Sequence, residues 1–266
     1  MRIALGVEYD GSAFCGWQTQ PGGCGVQDRL EHALEKFVAS RVETTAAGRT
    51  DAGVHASAQV VHFDSPVARD ESSWVRGTNA NLDEAARVLW ARTVPDDFHA
   101  RYSALSRTYR YLLLDDPVAP AILRRRVGWY HKPLDVEAMR LAARALLGEH
   151  DFTSFRDAQC QAKSPVRDLR RVEVERRGVL VSYTFQANAF LHHMIRNIVG
   201  SLVYVGAGKQ PPGWIAELLA ARDRKLAAPT FAPDGLYLSG VEYDPAFGLP
   251  KSHDERTHAH QDLRAP

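Results

Sequence analysis

The stretch AAGRTDAGVHASAQVVHF (Ala46–Phe63) sets two different patterns side by side. Gly48–His55 puts an arginine, a carboxylate, two glycines and a histidine into eight residues, a mixture that a surface turn does not require. It runs directly into AQVVHFD (Ala58–Asp64), whose apolar, β-branched make-up predicts a strand. Upstream, RIALGVEYD alternates Ile3, Leu5, Val7 and Tyr9 and ends in the turn DGSAFCGW, so it too predicts a strand. Between the two, VQDRLEHALEKFV (Val26–Val38) spaces Val26, Leu30, Leu34 and Phe37 as one face of a helix.

Downstream, ARVLWARTVP and RTYRYLLL predict further strands, the second with Tyr109 and Tyr111 on one face and Arg110 on the other. DVEAMRLAARALLG predicts a helix with Asp135 as N-cap and Gly148 as its stop. DLRRVEVERRGVLVSYTFQA predicts a hairpin turning at Arg177–Gly178. AFLHHMIRNIVGSLVYVG (Ala189–Gly206) predicts a long amphipathic helix with Phe190, Met194, Ile198 and Leu202 on one side, and Pro211–Ala221 a short one. Interleaved strands and helices with hairpins give an α+β fold. A seam near Ala104–Ser106 divides it into domains of residues 1–105 and 106–250, and the polar tail 251–266 is expected to be disordered.

The chain has 266 residues, 45% of them hydrophobic and 24% charged, the balance of a globular protein. No run of eighteen apolar residues and no basic-then-apolar leader occurs, so neither a membrane span nor export is expected. Cys15, Cys24 and Cys160 form no CxxC pair and suit a reducing cytoplasm. The net charge of +1 hides an asymmetry. Residues 1–100 carry 9 basic and 14 acidic side chains, residues 101–230 carry 21 and 12. Arg124–Arg126 and the group Arg167, Arg170, Arg171, Arg176 and Arg177 dominate that second half, and arginine's planar fork suits phosphate.

Asp51 is the carboxylate of the opening loop. Gly48 and Gly53 allow tight backbone geometry and close approach of a ligand, and Arg49 lies near enough to meet an anion. An ionised aspartate in a rigid loop can be a nucleophile, a general base or a metal ligand. The metal reading lacks a ligand set: His55 and His62 are seven apart, and on a helix the rings of His192 and His193 diverge by about 100°. No phosphate loop, GxSxG or Cys/His hydrolase signature is present. What stands is a cofactor-free aspartate site beside a basic half whose tyrosines, Tyr109 first, can stack an extruded base of a structured nucleic acid.

GRTDAGVH followed by QVVHF resembles the active-site motif of the TruA family of tRNA pseudouridine synthases. The segments IALGVEYDGS…GWQ (Ile3–Gln18), NANL, VPDDFHARYSA, YRY (Tyr109–Tyr111), LLGEHDFTSF, ANAFLHHMIRNIVGSL and GLYL match in the same order, from about Arg2 to Asp244. The resemblance implies two ferredoxin-like α+β halves joined into one extended, mostly antiparallel sheet flanked by helices, and a cytoplasmic homodimer holding tRNA in basic clefts. It implies isomerisation of uridine to pseudouridine at positions 38, 39 and 40 of the anticodon stem-loop, without metal or other cofactor. It places the nucleophile on Asp51, a second catalytic residue on Arg196 and a base-stacking tyrosine on Tyr109, with Arg49, Arg107 and Arg110 at phosphates. Three rivals stand beside it: a non-catalytic RNA-binding protein of the same fold, a synthase acting on another RNA, and, more distantly, a metal-dependent nuclease.

Overall fold

The computed structural model describes residues 1–250; the tail read as disordered lies outside them. In chain order the elements are β1 (Arg2–Tyr9), α1 (Val26–Val38), β2 (Thr45–Ala46), β3 (His55–Asp64), α2 (Glu71–Asn79) and β4 (Ala86–Val94). There follow β5 (Ser106–Asp115), β6 (Gly128–Tyr130), α3 (Val136–Ala143), β7 (Gly148–Asp151), β8 (Val166–Arg177) and β9 (Leu180–Ala187). Then come α4 (Met194–Gly206), α5 (Trp214–Ala221) and β10 (Leu236–Glu242). The fold is α+β, as the interleaved patterns predict. Among the described residues no helix is long and apolar enough to cross a membrane.

Two compact units emerge, one of Met1–Ser106 with the chain from Tyr237 onward, the other of Arg107–Leu236. In the first, the strand order is β4-β1-β3-β10 with β2 on β3. β1 pairs antiparallel with both β3 and β4, while β10 joins β3 in parallel through Tyr237–His55 and Leu238–Ala56. α1 has the limits its spacing predicts, burying Val26, Leu30, Ala33, Leu34 and Val38. α2 escaped the sequence reading although Asp70 caps it, accepting from the Ser73 amide at 2.7 Å. Its fully buried Trp74 meets Phe37 and Phe63 edge-on at 5.4 and 5.3 Å. Emptying that site to alanine would cost about 3–5 kcal/mol.

In the second unit β5-β9-β8-β7 follow one another antiparallel, with β6 parallel on β5. The hairpin reverses at Gly178–Val179, since Arg177 pairs with Leu180, one residue beyond the predicted turn. Asp135 caps α3 through the Ala138 amide at 2.9 Å. That helix ends at Ala143 rather than running to Gly148, and a 3-10 turn over Arg144–Leu146 carries the chain on into β7. α4 corrects the sequence reading further: it begins at Met194, not Ala189. His193 stands at φ +59°, left-handed backbone that a right-handed helix cannot pass through. Within α4 Asn197 is fully buried with both ends of its amide bonded, donating to the Phe155 carbonyl at 2.8 Å and accepting from Arg224 and Thr230.

Candidate functional site

In the first unit the opening stretch forms a short strand, a loop and a turn. The Val54 amide donates to the Asp51 carbonyl at 3.1 Å, closing a four-residue turn with Gly53 at its third position and φ +80°. Only glycine takes that conformation without strain, which is why Gly53 follows Asp51 by two. Asp51 is half-buried at the head of the turn and Arg49 is exposed.

Everything around the turn fixes its backbone from below. The hydroxyls of buried Thr50 and Tyr9 lie 2.8 Å apart. Gln59, fully buried on β3, donates to the Gly48 carbonyl at 2.6 Å and reaches Tyr9 Oη at 3.5 Å. The Trp17 amide donates to the Thr50 carbonyl at 2.9 Å. Burial pushes the Tyr9 phenol up to about 12 although hydrogen bonds from Thr50 and Gln59 oppose it, so its proton stays in the network. His55 accepts from the Gly11 amide at Nδ1, 3.1 Å, and stacks on Tyr237 with ring centroids 4.6 Å apart. His55 and His62 are thus structural, His62 accepting from the Ala100 amide at 3.1 Å.

Sequence reasoning found Asp51 but missed the residues that hold it. Tyr9 read as one more position in an alternating strand, and Trp17 and Gly16 as parts of a turn. The one signal was that DGSAFCGW is glycine-rich and aromatic at the end of a strand. Cys15 and Cys24, read as suiting a reducing compartment, are bonded to each other at the edge of this same region, and Cys160 is free.

In the second unit Tyr109 stands on β5 opposite Phe185 and is 8% exposed, its ring edge-on to Phe190 at 5.1 Å. Phe190 reaches it because it belongs to the non-helical approach to α4, not to the helix predicted for it. Tyr111, two residues on, donates to the Ala232 carbonyl at 2.8 Å and serves the core. Arg107 donates to the Asn188 carbonyl at 2.9 Å. Arg107 and Arg110 are buried, so a phosphate meeting either one must reach into the fold. Arg196, half-buried in the first turn of α4, donates from Nε to the Phe231 carbonyl at 2.9 Å.

The same left-handed residue overturns the expectation that His192 and His193 diverge. Off the helix, their rings stack with centroids 3.9 Å apart and both turn Nδ1 toward Asp157, at 3.5 and 2.8 Å. The basic cluster on β8 is locally paired. Arg170 meets Asp168 at 2.9 Å, Arg171 meets Glu173 at 2.7 Å, and Arg176 grips buried Asp115 with both nitrogens. Arg124–Arg126 are exposed on the loop before β6.

Comparison with known proteins bears on these residues. The family described as tRNA pseudouridine synthase matches residues 6–103 and 142–244. A tRNA pseudouridine synthase A of Burkholderia cenocepacia (strain HI2424) is 57% identical over 250 residues, 94% of this chain and 93% of its own. Proteins of the same name from Methylobacillus flagellatus (strain ATCC 51484 / DSM 6875 / VKM B-1610 / KT) and Dechloromonas aromatica (strain RCB) are 55% and 56% identical. They are covered over 96% and 97% of their length, and cover 94% and 96% of this chain. A chain of a solved Cbf5–Nop10–Gar1 complex aligns with TM-score 0.35 at 12% identity over 89% of this chain and 48% of its own, too distant to bear on the site. With two matched segments that take in both the Asp51 turn and α4, and relatives alike over nearly their whole length, the chain belongs to the tRNA pseudouridine synthase family, whose members are isomerases.

Proposed function

We propose that this synthase acts on uridines 38, 39 and 40 of the tRNA anticodon stem-loop, with Asp51 as nucleophile. The reaction breaks N1–C1′, turns the base and joins C5 to C1′, with the C5 proton lost and N1 regaining one. Atoms and electrons balance within the nucleotide, so nothing beyond a nucleophile, proton movement and a held base is required. The observation that carries the reading is the turn itself. Gln59 and Trp17 hold the carbonyls of Gly48 and Thr50 and Tyr9 meets the Thr50 hydroxyl, so the backbone entering Asp51 is fixed, and a nucleophile on a fixed backbone is what addition to the ribose or the base demands.

Tyr109 is assigned to stacking on the extruded base and Arg196 to the second catalytic role, as the family resemblance implies. Arg49, exposed two residues before Asp51, is assigned to a backbone phosphate. The homodimeric state and the cytoplasmic setting belong to the same reading; sedimentation at two concentrations checks the first.

The test uses tRNA transcribed with uridine tritiated at C5 and carrying U38–U40. The wild type releases tritium, and Asp51→Ala and Asp51→Asn lose at least roughly 10³-fold in rate while still binding tRNA. Release that persists in both variants removes Asp51 from the chemistry. Release only from other RNAs moves the substrate away from the anticodon arm.

A further inference from the structure

The disulfide beside the catalytic turn has no part in the isomerisation. Cys15 and Cys24 have Cα atoms 5.4 Å apart, and the Cys15 amide donates to the Cys24 carbonyl at 3.0 Å. Cys15 is exposed and Cys24 half-buried, so a small thiol can reach the bond. The tip of the excursion they close is open, since a Cβ at Gly22 or Gly23 would meet nothing within 4 Å.

Its base is crowded. Gly16, bonded to Cys15, sits at φ +97°, and a Cβ there would fall 2.9 Å from the Thr50 carbonyl oxygen and 3.1 Å from the Asp51 carbonyl carbon and the Ala52 nitrogen. Trp17 donates to Thr50, the Val26 amide to the Gly16 carbonyl at 3.1 Å, and the Gln27 amide to the Trp17 carbonyl at 3.0 Å. Gly16–Trp17 is thus wedged between the first turn of α1 and the backbone on which Asp51 stands. The disulfide ties one end of that wedge to the chain just before α1.

We propose that Cys15 and Cys24 form a thiol–disulfide exchange site for low-molecular-weight thiols and disulfides of the glutathione kind, whose redox state sets how firmly the Asp51 turn is held. That the turn matters to turnover rests on the assignment of Asp51 above; that the tie holds the turn does not. In reduction, a thiolate attacks the exposed Cys15 sulfur, the S–S bond breaks, and Cys24 leaves as a thiolate that takes up a proton. A second thiolate displaces Cys15 from the mixed disulfide, and the two small thiols leave joined as their disulfide. Two electrons pass to the protein, and oxidation by the small disulfide reverses each step. Once open, Cys15–Cys24 keeps its backbone hydrogen bond but loses its covalent closure. The wedge then gains freedom at its Gly16 end, directly against the Thr50–Ala52 backbone.

The experiment equilibrates the full chain in buffers running from pure reduced to pure oxidised glutathione. Differential alkylation read peptide by peptide separates Cys15 and Cys24 from Cys160. Hydrogen exchange is followed in the peptide spanning residues 48–56, and tritium release from tRNA in parallel. Faster exchange of the Val54 amide is expected in the reduced form, with kcat lower by roughly three- to tenfold and KM for tRNA little changed. A Cys15→Ser/Cys24→Ser variant should show the reduced values in every buffer. Thiols labelled at both positions even in oxidised glutathione, equal exchange in the two states, or a rate that rises on reduction would each overturn the proposal. If the wild type releases no tritium in either state, the proposed substrate falls, and the exchange comparison alone decides the redox site.

Discussion

The side-chain amide of Gln59 reaches back from inside β3 to the carbonyl of Gly48, eleven residues earlier, and holds it at 2.6 Å. Its oxygen accepts from the Val60 amide at 3.2 Å, so both ends of the amide are committed. Gln59→Leu keeps the volume and leaves the half-buried Gly48 carbonyl without this donor. The cost is about 1–3 kcal/mol, read as a lower urea midpoint at unchanged slope. Single-turnover tritium release should slow more than tRNA binding weakens, because the displaced group is the backbone leading to Asp51.

Gly11 is pressed against the far end of the same turn. A Cβ on it would lie 2.0 Å from the Val54 oxygen and 2.4 Å from its carbonyl carbon, backbone atoms that cannot swing aside. Gly11→Ala should cost about 1–3 kcal/mol and lower the melting temperature by roughly 3–10 °C, with reduced turnover. Gly22→Ala, which has open space, serves as the control and should change neither. Equal behaviour of the two variants would show that the Gly11–Val54 contact relaxes freely.

His62 gives unit one a dependence on pH. Burial, and then the neighbouring His99 and Arg2, hold its imidazole down to about 4, with Asp64 opposing. The ring is neutral in the fold and charges near 6.5 when unfolded. Below about 6.5 the unfolded chain therefore binds a proton that the folded chain refuses. Stability is complete above 6.5, falls as pH drops from there to about 4, and this contribution levels off below, amounting to at most about 3 kcal/mol. His62→Gln should flatten urea midpoints between pH 6.5 and 4.5; an unchanged slope would place the proton uptake elsewhere.

The two basic clusters should contribute unequally to tRNA binding. Both groups are exposed, Arg124–Arg126 on the loop before β6, but Arg170 and Arg171 face Asp168 and Glu173 on their own strand, which offsets part of their charge. Replacing Arg124–Arg126 by glutamine should flatten the salt dependence of the tRNA dissociation constant by roughly one unit for each phosphate that is no longer neutralised. Arg170→Gln/Arg171→Gln should flatten it less. Arg176 is unsuitable for such a test, because its replacement strands the buried Asp115 carboxylate.

Helix α1 was legible to the residue because its apolar spacing ends where the pattern ends, at Val38 with left-handed Ala39 behind it. The start of α4 was not, since Ala189–His193 continues the apolar spacing and the left-handed backbone of His193 has no mark in the residue type. α2 was missed with its signal in view, for Asp70 followed by Ser72 and Ser73 is a capping pattern. At the site, Asp51 stood out because its loop mixes residue types that packing alone does not select. Tyr9, Trp17 and Gln59 did not, because each looks like an ordinary strand or turn residue until the chain brings it back, from eight to more than forty positions away, to one backbone segment.

The parallel pairing of β10 with β3 has a consequence for the order of events during synthesis. The first unit contains the N-terminal hundred residues, yet its sheet and the ring that covers His55 are completed only by Tyr237 and the residues after it. The second unit is a single uninterrupted length of chain, Arg107–Leu236. On the ribosome β3 stays without its β10 partner until residues 107–236 have been made. The half that is translated first is the half whose sheet closes last, while the Asp51 turn at its centre is held by Tyr9, Trp17 and Gln59, all from the first sixty residues.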